Sequence, residues 1–332
     1  MGSWNVDPMP DTALIRPSVD LRGLYKSNLH MSDCIMPIPT SLVFTATLTL
    51  FATVTALSAQ QIPAIAQDPS PDKEFPASTE APDIPSHGAR LNAVFYLASG
   101  RGPNPVVLLM HGFPGNEQNM DLAYAIRRDG WNVLVPHYRG SWGSQSTFSF
   151  ANSIEDTQSA IQFLREAENV KQYRIDPKRI VLIGHSMGGF MVAYAAANDS
   201  KILGVAMISA WNLGASMARA SAKERLPTFA TAVTRLSGTT SDGLVAEARQ
   251  NSENWDHIKF ALALKGRPIL ITEAIDRNVD DNKAMAQTLR KAGNPNVSEA
   301  EMQTDHSYAD HRIALQVTVV KWLENSFAQR NQ

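Results

Sequence analysis

A serine between two glycines, in Gly184-His185-Ser186-Met187-Gly188, is the pattern in this chain with the clearest chemical meaning. It follows the apolar run Ile180-Val181-Leu182-Ile183 and precedes an alanine-rich stretch that reads as a helix. A G-x-S-x-G between strand and helix makes a sharp turn that presents the serine hydroxyl as a nucleophile. Side chains at the two glycine positions would strike the neighbouring strand and helix, and the serine itself takes a strained backbone conformation. The start of the following helix and the Met187 amide then stand where negative charge develops during attack on a carbonyl. A second motif, His111-Gly112-Phe113-Pro114-Gly115, follows another apolar run ending at Met110. There the residue after His-Gly turns its amide toward the same pocket, so Phe113 and Met187 are the expected oxyanion-hole N–H donors. His111 and His185 read as structural imidazoles that brace their loops.

Such residues need a sheet whose strands all end at one edge. Apolar runs predict strands over 91–98, 106–110, 132–136, 180–183, 203–209 and 268–272. Helical spacing predicts helices over 119–129, 154–167 and 312–327, with Asp156 near an electropositive N-terminus. Strands alternating with helices imply an α/β fold with a mostly parallel central sheet flanked by helices, its ligands sitting beyond the carboxyl ends of the strands. Residues 212–264 break the alternation with a strand-free stretch of helical composition. They are expected to form a helical cap inserted over those strand ends, the competing reading being two helices packed on the sheet's flank. No internal repeat is present.

The segments HGFPGNEQN, YRGSWGS, RIVLIGHSMGGF, AIDRNVDD and TDHSYADHR together resemble the α/β-hydrolase superfamily, nearest to its dienelactone-hydrolase-like and prolyl-oligopeptidase-like serine hydrolases. The resemblance covers about residues 89–327 and implies the α/β-hydrolase fold. It also implies the order nucleophile, acid, histidine, with the acid after a late strand and the histidine before the last helix. Asp276 and His306 occupy those positions, giving Ser186, Asp276, His306. Glu273-Ala274-Ile275 stands before the acid where relatives commonly carry a glycine, which leaves Asp280 in reserve. His311 is the rival base, but the apolar spacing at Ile313, Ala314, Val317 and Val320 puts it on the first turn of a helix. A metal site of Asp305, His306, Asp310 and His311 lacks any established ligand spacing, so no metal and no cofactor is expected.

Trp142 and Trp211 both follow strands and are the candidates to line an acyl or alcohol pocket, with packing at the core or rim equally open. Tyr138 and Arg139 read as structural parts of their loop, and Met217, Phe229 and Trp255 as apolar packing within the cap.

Composition narrows the class further. The 30 basic and 32 acidic side chains leave a formal net charge of -2, so no global field draws a polyanion and no nucleic-acid partner is expected. Residues 42–57 are uncharged and apolar but short for a membrane span. Small-x-small sites follow at Ala56-Leu57-Ser58 and Ala64-Ile65-Ala66. Residues 1–66 therefore read as a leader carrying a signal peptide, with cleavage near Ala66 favoured and export to the periplasm or the medium. No Lys or Arg falls between Met31 and Leu42 to give the signal its basic start; a buried core helix is the competing reading of the run, and an uncleaved membrane anchor is the second option for export. The single cysteine, Cys34, lies in that leader, which leaves the mature chain without thiols. Residues 67–88, rich in Pro, Ser, Asp and Glu, read as a disordered linker to a domain over 89–332. The expected activity is hydrolysis of small-molecule carboxylic esters through an acyl-enzyme, with no stable membrane span after cleavage. A serine peptidase of prolyl-oligopeptidase-like type is the alternative, and a non-catalytic binding protein of the same fold stands behind both.

Overall fold

The computed structural model describes residues 63–327. The apolar run at 42–57, Cys34 and the first small-x-small site lie outside the described residues. Strands β1 (Ser78–Glu80), β2 (Asp83–Ser86), β3 (Ala89–Leu97), β4 (Asn104–Met110), β5 (Asn132–Pro136), β6 (Ile175–His185), β7 (Gly204–Ile208), β8 (Ile269–Glu273) and β9 (Val297–Glu301) form one sheet. Its order is β1-β3-β5-β4-β6-β7-β8-β9, with β2 also pairing β3. From β5 through β9 every neighbouring pair is parallel, and β3 joins antiparallel to β5.

The apolar runs are continuous because both faces of the parallel strands are covered. Leu108, Leu182, Val205 and Met207 gather on one face with Phe190 and Met191 of α5 (Met187–Ala197) and with Met285 and Leu289 of α9 (Val279–Lys291). Alternate residues Val107, Leu109, Val181 and Ile183 gather on the other. There they meet Leu122 and Ile126 of α2 (Met120–Arg128) and Leu315 and Val319 of α10 (Arg312–Phe327). Each fully buried aliphatic side chain contributes roughly 1.5–3 kcal/mol, so the central strands are fixed by packing on both sides.

Three expectations need correction. Residues 78–86 are not linker: Ser78–Glu80 pairs with 95–97 of β3, and Asp83–Ser86 with 89–92. Ile84 and Ser86 alternate inward while Asp83 and Pro85 face out, a strand pattern that the prolines disguise in sequence. The helix expected over 154–167 is α3 (Phe150–Phe163), started by the Ser149 hydroxyl accepting from the Asn152 amide at 3.0 Å, with a separate turn α4 (Ala167–Gln172) after it. Asp156 is not at that helix's N-terminus. It is buried mid-helix, where it accepts from Arg139 Nε and Ser86 Oγ, each at 2.6 Å. Glu247 serves the helix start instead, accepting from the Phe150 and Ala151 amides at 3.0 and 2.9 Å. Strand β9 and helix α9 were not anticipated from the sequence.

Residues 212–264 fold as α6 (Leu213–Arg219), α7 (Ala222–Val233), α8 (Ser241–Gln250) and a 3-10 turn at His257–Phe260, with no strand. Helix α8, through Glu247, braces α3, while α7 borders the cavity described below. Near the amino end of the described chain, α1 (Pro63–Ala66) buries Ala64 beside α2, and Arg128 Nε donates to the Ala64 carbonyl at 2.6 Å. No helix among the described residues is long and apolar enough to cross a membrane.

Four histidines are buried at or near the strand ends, and desolvation lowers each from 6.5: His111 and His185 to about 3, His137 and His257 to about 4. For such groups the unfolded chain takes up protons first, so their stabilisation is complete above about pH 6.5 and is lost as pH falls toward 4. Between about pH 7 and pH 5.5 this amounts to about 1 kcal/mol per histidine, roughly 4 kcal/mol in all. Asp129 and Glu273, each pushed up to about 7 chiefly by burial, act in the opposite sense and gain stability as pH falls through about 7. The test is therefore a difference: between the two pH values, urea unfolding of His257→Phe should lose about 1 kcal/mol less than that of the wild type. The same change in stability for variant and wild type would contradict the buried-neutral assignment of His257.

Candidate active site

Ser186 stands at the junction of β6 and α5 with φ 56° and ψ -117°, a conformation that costs a non-glycine residue about 1–3 kcal/mol. The surroundings hold it there. Its amide donates to the Ile208 carbonyl at 2.9 Å, and its own carbonyl accepts from Gly189 and Trp211 at 3.0 and 2.9 Å. A Cβ on Gly188 would stand 2.1 Å from the Met110 carbonyl oxygen, so the elbow and the end of β4 pack backbone to backbone. The β4 loop approaches from the same side: a Cβ on Gly112 would lie 3.0 Å from that of Ser186. Among the described residues, neither the Phe113 nor the Met187 amide takes part in a backbone hydrogen bond.

Asp276 follows β8 and His306 follows β9, and the structure joins them. His306 Nδ1 donates to Asp276 Oδ2 at 2.6 Å, while Asp276 Oδ1 accepts from the Asn278 amide at 2.7 Å. Burial alone would raise the Asp276 pKa, but the hydrogen bonds from His306 and the Asn278 amide outweigh it and hold the carboxyl below its usual range. With Nδ1 committed to Asp276, the ring's Nε2 is the nitrogen left for the cavity. Ser186 and His306 line that cavity together, without a hydrogen bond between them among the described residues.

Much of the support for the histidine escaped sequence reasoning. Tyr308, fully buried and at φ 56°, places its hydroxyl 3.0 Å from Ser209 Oγ and 2.9 Å from Thr272 Oγ1, tying the histidine loop to the ends of β7 and β8. Burial pushes its phenol up to about 12, so it stays protonated. Ser209 Oγ in turn accepts from the Ala274 amide at 3.1 Å, and the Ser209 carbonyl accepts from Asn278 Nδ2 at 3.1 Å. Arg312 donates to the Ser307 carbonyl at 2.9 Å and pairs with Asp121 of α2. The one signal in the sequence was the polar density of TDHSYADHR, which assigns no role to Tyr308. His185, neutral and buried as expected of a brace, donates through Nε2 to the His306 carbonyl at 2.8 Å. His111 does the same within its own loop, donating to the Gly112 carbonyl at 2.8 Å.

The cavity beside Ser186 has a volume of about 320 Å³. Phe113, Trp211 and Phe229 supply its aromatic wall, with Phe113 and Phe229 ring centroids 5.3 Å apart. Trp211 therefore lies where a pocket residue was expected. Trp142 does not: its indole donates to the Pro114 carbonyl at 3.2 Å, so it braces the loop after β4 instead of lining the cavity. Phe229, read from sequence as internal packing, lines the cavity because α7 turns that face toward Ser186. His311 pairs with Asp310 at 2.9 Å outside the cavity, and Asp280 makes no hydrogen bond to His306. Among the described residues no cluster of three His, Cys, Asp or Glu side chains is placed to hold a metal ion.

Esterase EstD of Thermotoga maritima is 30% identical over 153 residues, 42% of this chain and 34% of its own length. The quorum-quenching protein AidA of Acinetobacter baumannii is 29% identical over 126 residues, 36% of this chain and 40% of its own. The chain thus spans well under half the length of these curated relatives. Among solved structures, the Pyrococcus furiosus esterase Pf2001 superposes with a TM-score of 0.56 at 16% identity, over 79% of this chain and 97% of that one. The Pyrococcus horikoshii acylaminoacyl peptidase does so with 0.59 at 16% identity, over 77% of this chain and 42% of that one. The alpha/beta hydrolase fold family matches residues 105–313, more than half of the chain, with Ser186, Asp276 and His306 all inside the match. By its sheet, by the serine turn after β6 and by that match, this chain belongs to the alpha/beta hydrolase fold family.

Proposed function

We propose that the protein is a serine hydrolase that cleaves carboxylic esters of small molecules through an acyl-enzyme. The observation that carries this reading is the His306–Asp276 hydrogen bond of 2.6 Å, made by a histidine on the wall of the cavity into which the strained Ser186 opens. His306 Nε2 takes the Ser186 proton as the serine oxygen bonds to the ester carbonyl carbon. The negative carbonyl oxygen is stabilised by the Phe113 and Met187 amides. The carbon–oxygen bond to the alcohol then breaks as His306 returns the proton to the leaving oxygen, and water repeats the cycle to release the acid. Asp276 fixes the histidine tautomer and stabilises its cationic form. The aromatic wall suits an ester's organic part, and no step calls for a cofactor.

Export is the second element of the proposal, resting on the apolar run at 42–57 and its small-x-small sites. The docking of Pro63–Ala66 on α2 favours the upstream site, since cleavage after Ala66 would strip Ala64 from its buried seat and free Arg128 of its acceptor.

Three outcomes are expected. Ser186→Ala and His306→Ala should each lower kcat by at least about 10⁴-fold, Asp276→Asn by about 10⁴-fold, and His311→Ala by less than about twofold, with folding intact by circular dichroism. A dead His311 variant beside an active His306 variant would reverse the assignment of the base. Short-chain p-nitrophenyl esters should exceed the matching aminoacyl p-nitroanilides in kcat/KM by at least about a hundredfold. Comparable efficiency on an anilide would transfer the reading to a peptidase. N-terminal mass spectrometry of the protein from its own host should find a chain beginning at Ala59, and recovery of the uncleaved chain from the cytosol would sink the export proposal.

A further inference from the structure

The cavity carries a charge pattern that ester hydrolysis does not by itself require. Arg235, just beyond α7, and Arg277, next to Asp276 in the chain, both line it from separate parts of the fold. Both side chains are exposed, while Trp211 and Phe229 behind them are buried. Neither guanidinium has a carboxylate partner among the described residues. Arg235 Nη1 donates only to the Thr231 carbonyl at 3.2 Å, and Arg277 makes no hydrogen bond. Elsewhere Arg139, Arg165, Arg219, Arg290 and Arg312 are each paired with an Asp or Glu, while Arg127, Arg128, Arg174, Arg179, Arg249 and Arg267 reach a carbonyl or a ring; what sets Arg235 and Arg277 apart is that both line one cavity. Among the described residues no acidic side chain lines the cavity, and the nearest carboxylate in sequence, Asp276, is committed to His306. A smaller cleft of about 160 Å³ also reaches Ser186 and His306, and its charged lining residue, Glu117, stands 4.0 Å from Arg312, so the unpaired cations belong to the larger cavity.

A ligand matching this pattern has an apolar chain long enough to run from the serine along the aromatic wall, and an anion at its far end. Guanidinium groups hold carboxylates through parallel N–H donors, and an unpaired pair of them at a rim favours an anion over its neutral isostere. Resting on the ester-hydrolase reading above, we propose that the natural substrate is an ester with a carboxylate remote from the scissile bond, held by Arg235 and Arg277, with a small uncharged group in the cleft beside Glu117. Because both arginines are exposed, solvent screening limits the preference to about tenfold.

Two matched pairs of probes test this. Mono-p-nitrophenyl adipate against the corresponding adipamate places carboxylate or carboxamide on the acyl side, and 6-acetoxyhexanoate against 6-acetoxyhexanamide places them on the alcohol side. One pair should favour the carboxylate by about tenfold in kcat/KM at low ionic strength, and that pair identifies which half of the ester fills the larger cavity. The Arg235→Gln/Arg277→Gln double variant should bring that ratio to within about twofold of unity, whereas the Arg235→Lys/Arg277→Lys variant should keep most of it. Wild-type ratios at or below one for both pairs, or a preference that survives the double Gln variant, would overturn the proposal. Turnover of the carboxamide probes reports the ester-hydrolase reading separately: cleavage with no charge preference removes only the anion site, while failure on all four probes counts against the hydrolase reading itself.

Discussion

Between β6 and α5 there is no room for a side chain: a Cβ on Gly184 would stand 2.1 Å from the Gly188 carbonyl oxygen. That contact closes the turn so sharply that the residue between must adopt positive φ, and Ser186 does so at the end of the most central apolar strand. The strain persists only because neighbours over-determine it. Ile208 at the end of β7, Trp211 beyond it and Met110 at the end of β4 each meet the turn through backbone atoms, so the parallel sheet itself sets the position of Ser186. The covered faces of the sheet, and the helices that cover them, follow from the need to keep those three strand ends in register.

The same logic extends to the groups that face the serine. Ser209 and Tyr308 are also at positive φ, and they are hydrogen-bonded to each other. The strained positions at the ends of β7 and after β9 therefore support one another while Thr272 of β8 shares the Tyr308 hydroxyl. Asp276 and His306 hang from this knot on separate loops but face each other at hydrogen-bond distance. The neutral imidazoles of His111 and His185 fill space behind the two loops nearest the serine, each donating one ring N–H to a loop carbonyl.

What the sequence made legible was whatever had to be apolar or glycine. The central strands and the serine turn follow from runs that only a doubly covered sheet tolerates, and from glycines that only a tight elbow requires. Asp276 and His306 were placed through family order; nothing local distinguishes that aspartate from Asp280, whereas the helical spacing that follows His311 set it apart from His306. The edges were obscure for physical reasons. Strand β2 hides its alternation behind Pro85, β9 is an edge strand of mostly polar residues, and α9 presents Asn282 in place of an apolar residue at the start of its buried face. Trp142, after a strand, was as open to rim packing as to the pocket, and its N–H found a backbone acceptor in the loop after β4. Arg235 and Arg277 gave no signal, because a cation in a helical or loop segment ordinarily means solvent.

The central claim is that Ser186 becomes covalently acylated, and a substrate that acylates quickly but deacylates slowly tests it most directly. Treatment with p-nitrophenyl N,N-dimethylcarbamate, followed by acid quench and peptide mass mapping, should give a burst of about one equivalent of p-nitrophenol and one carbamoyl adduct on Ser186. Steady release of p-nitrophenol with no burst and no adduct, or an adduct on any other residue, would contradict the account.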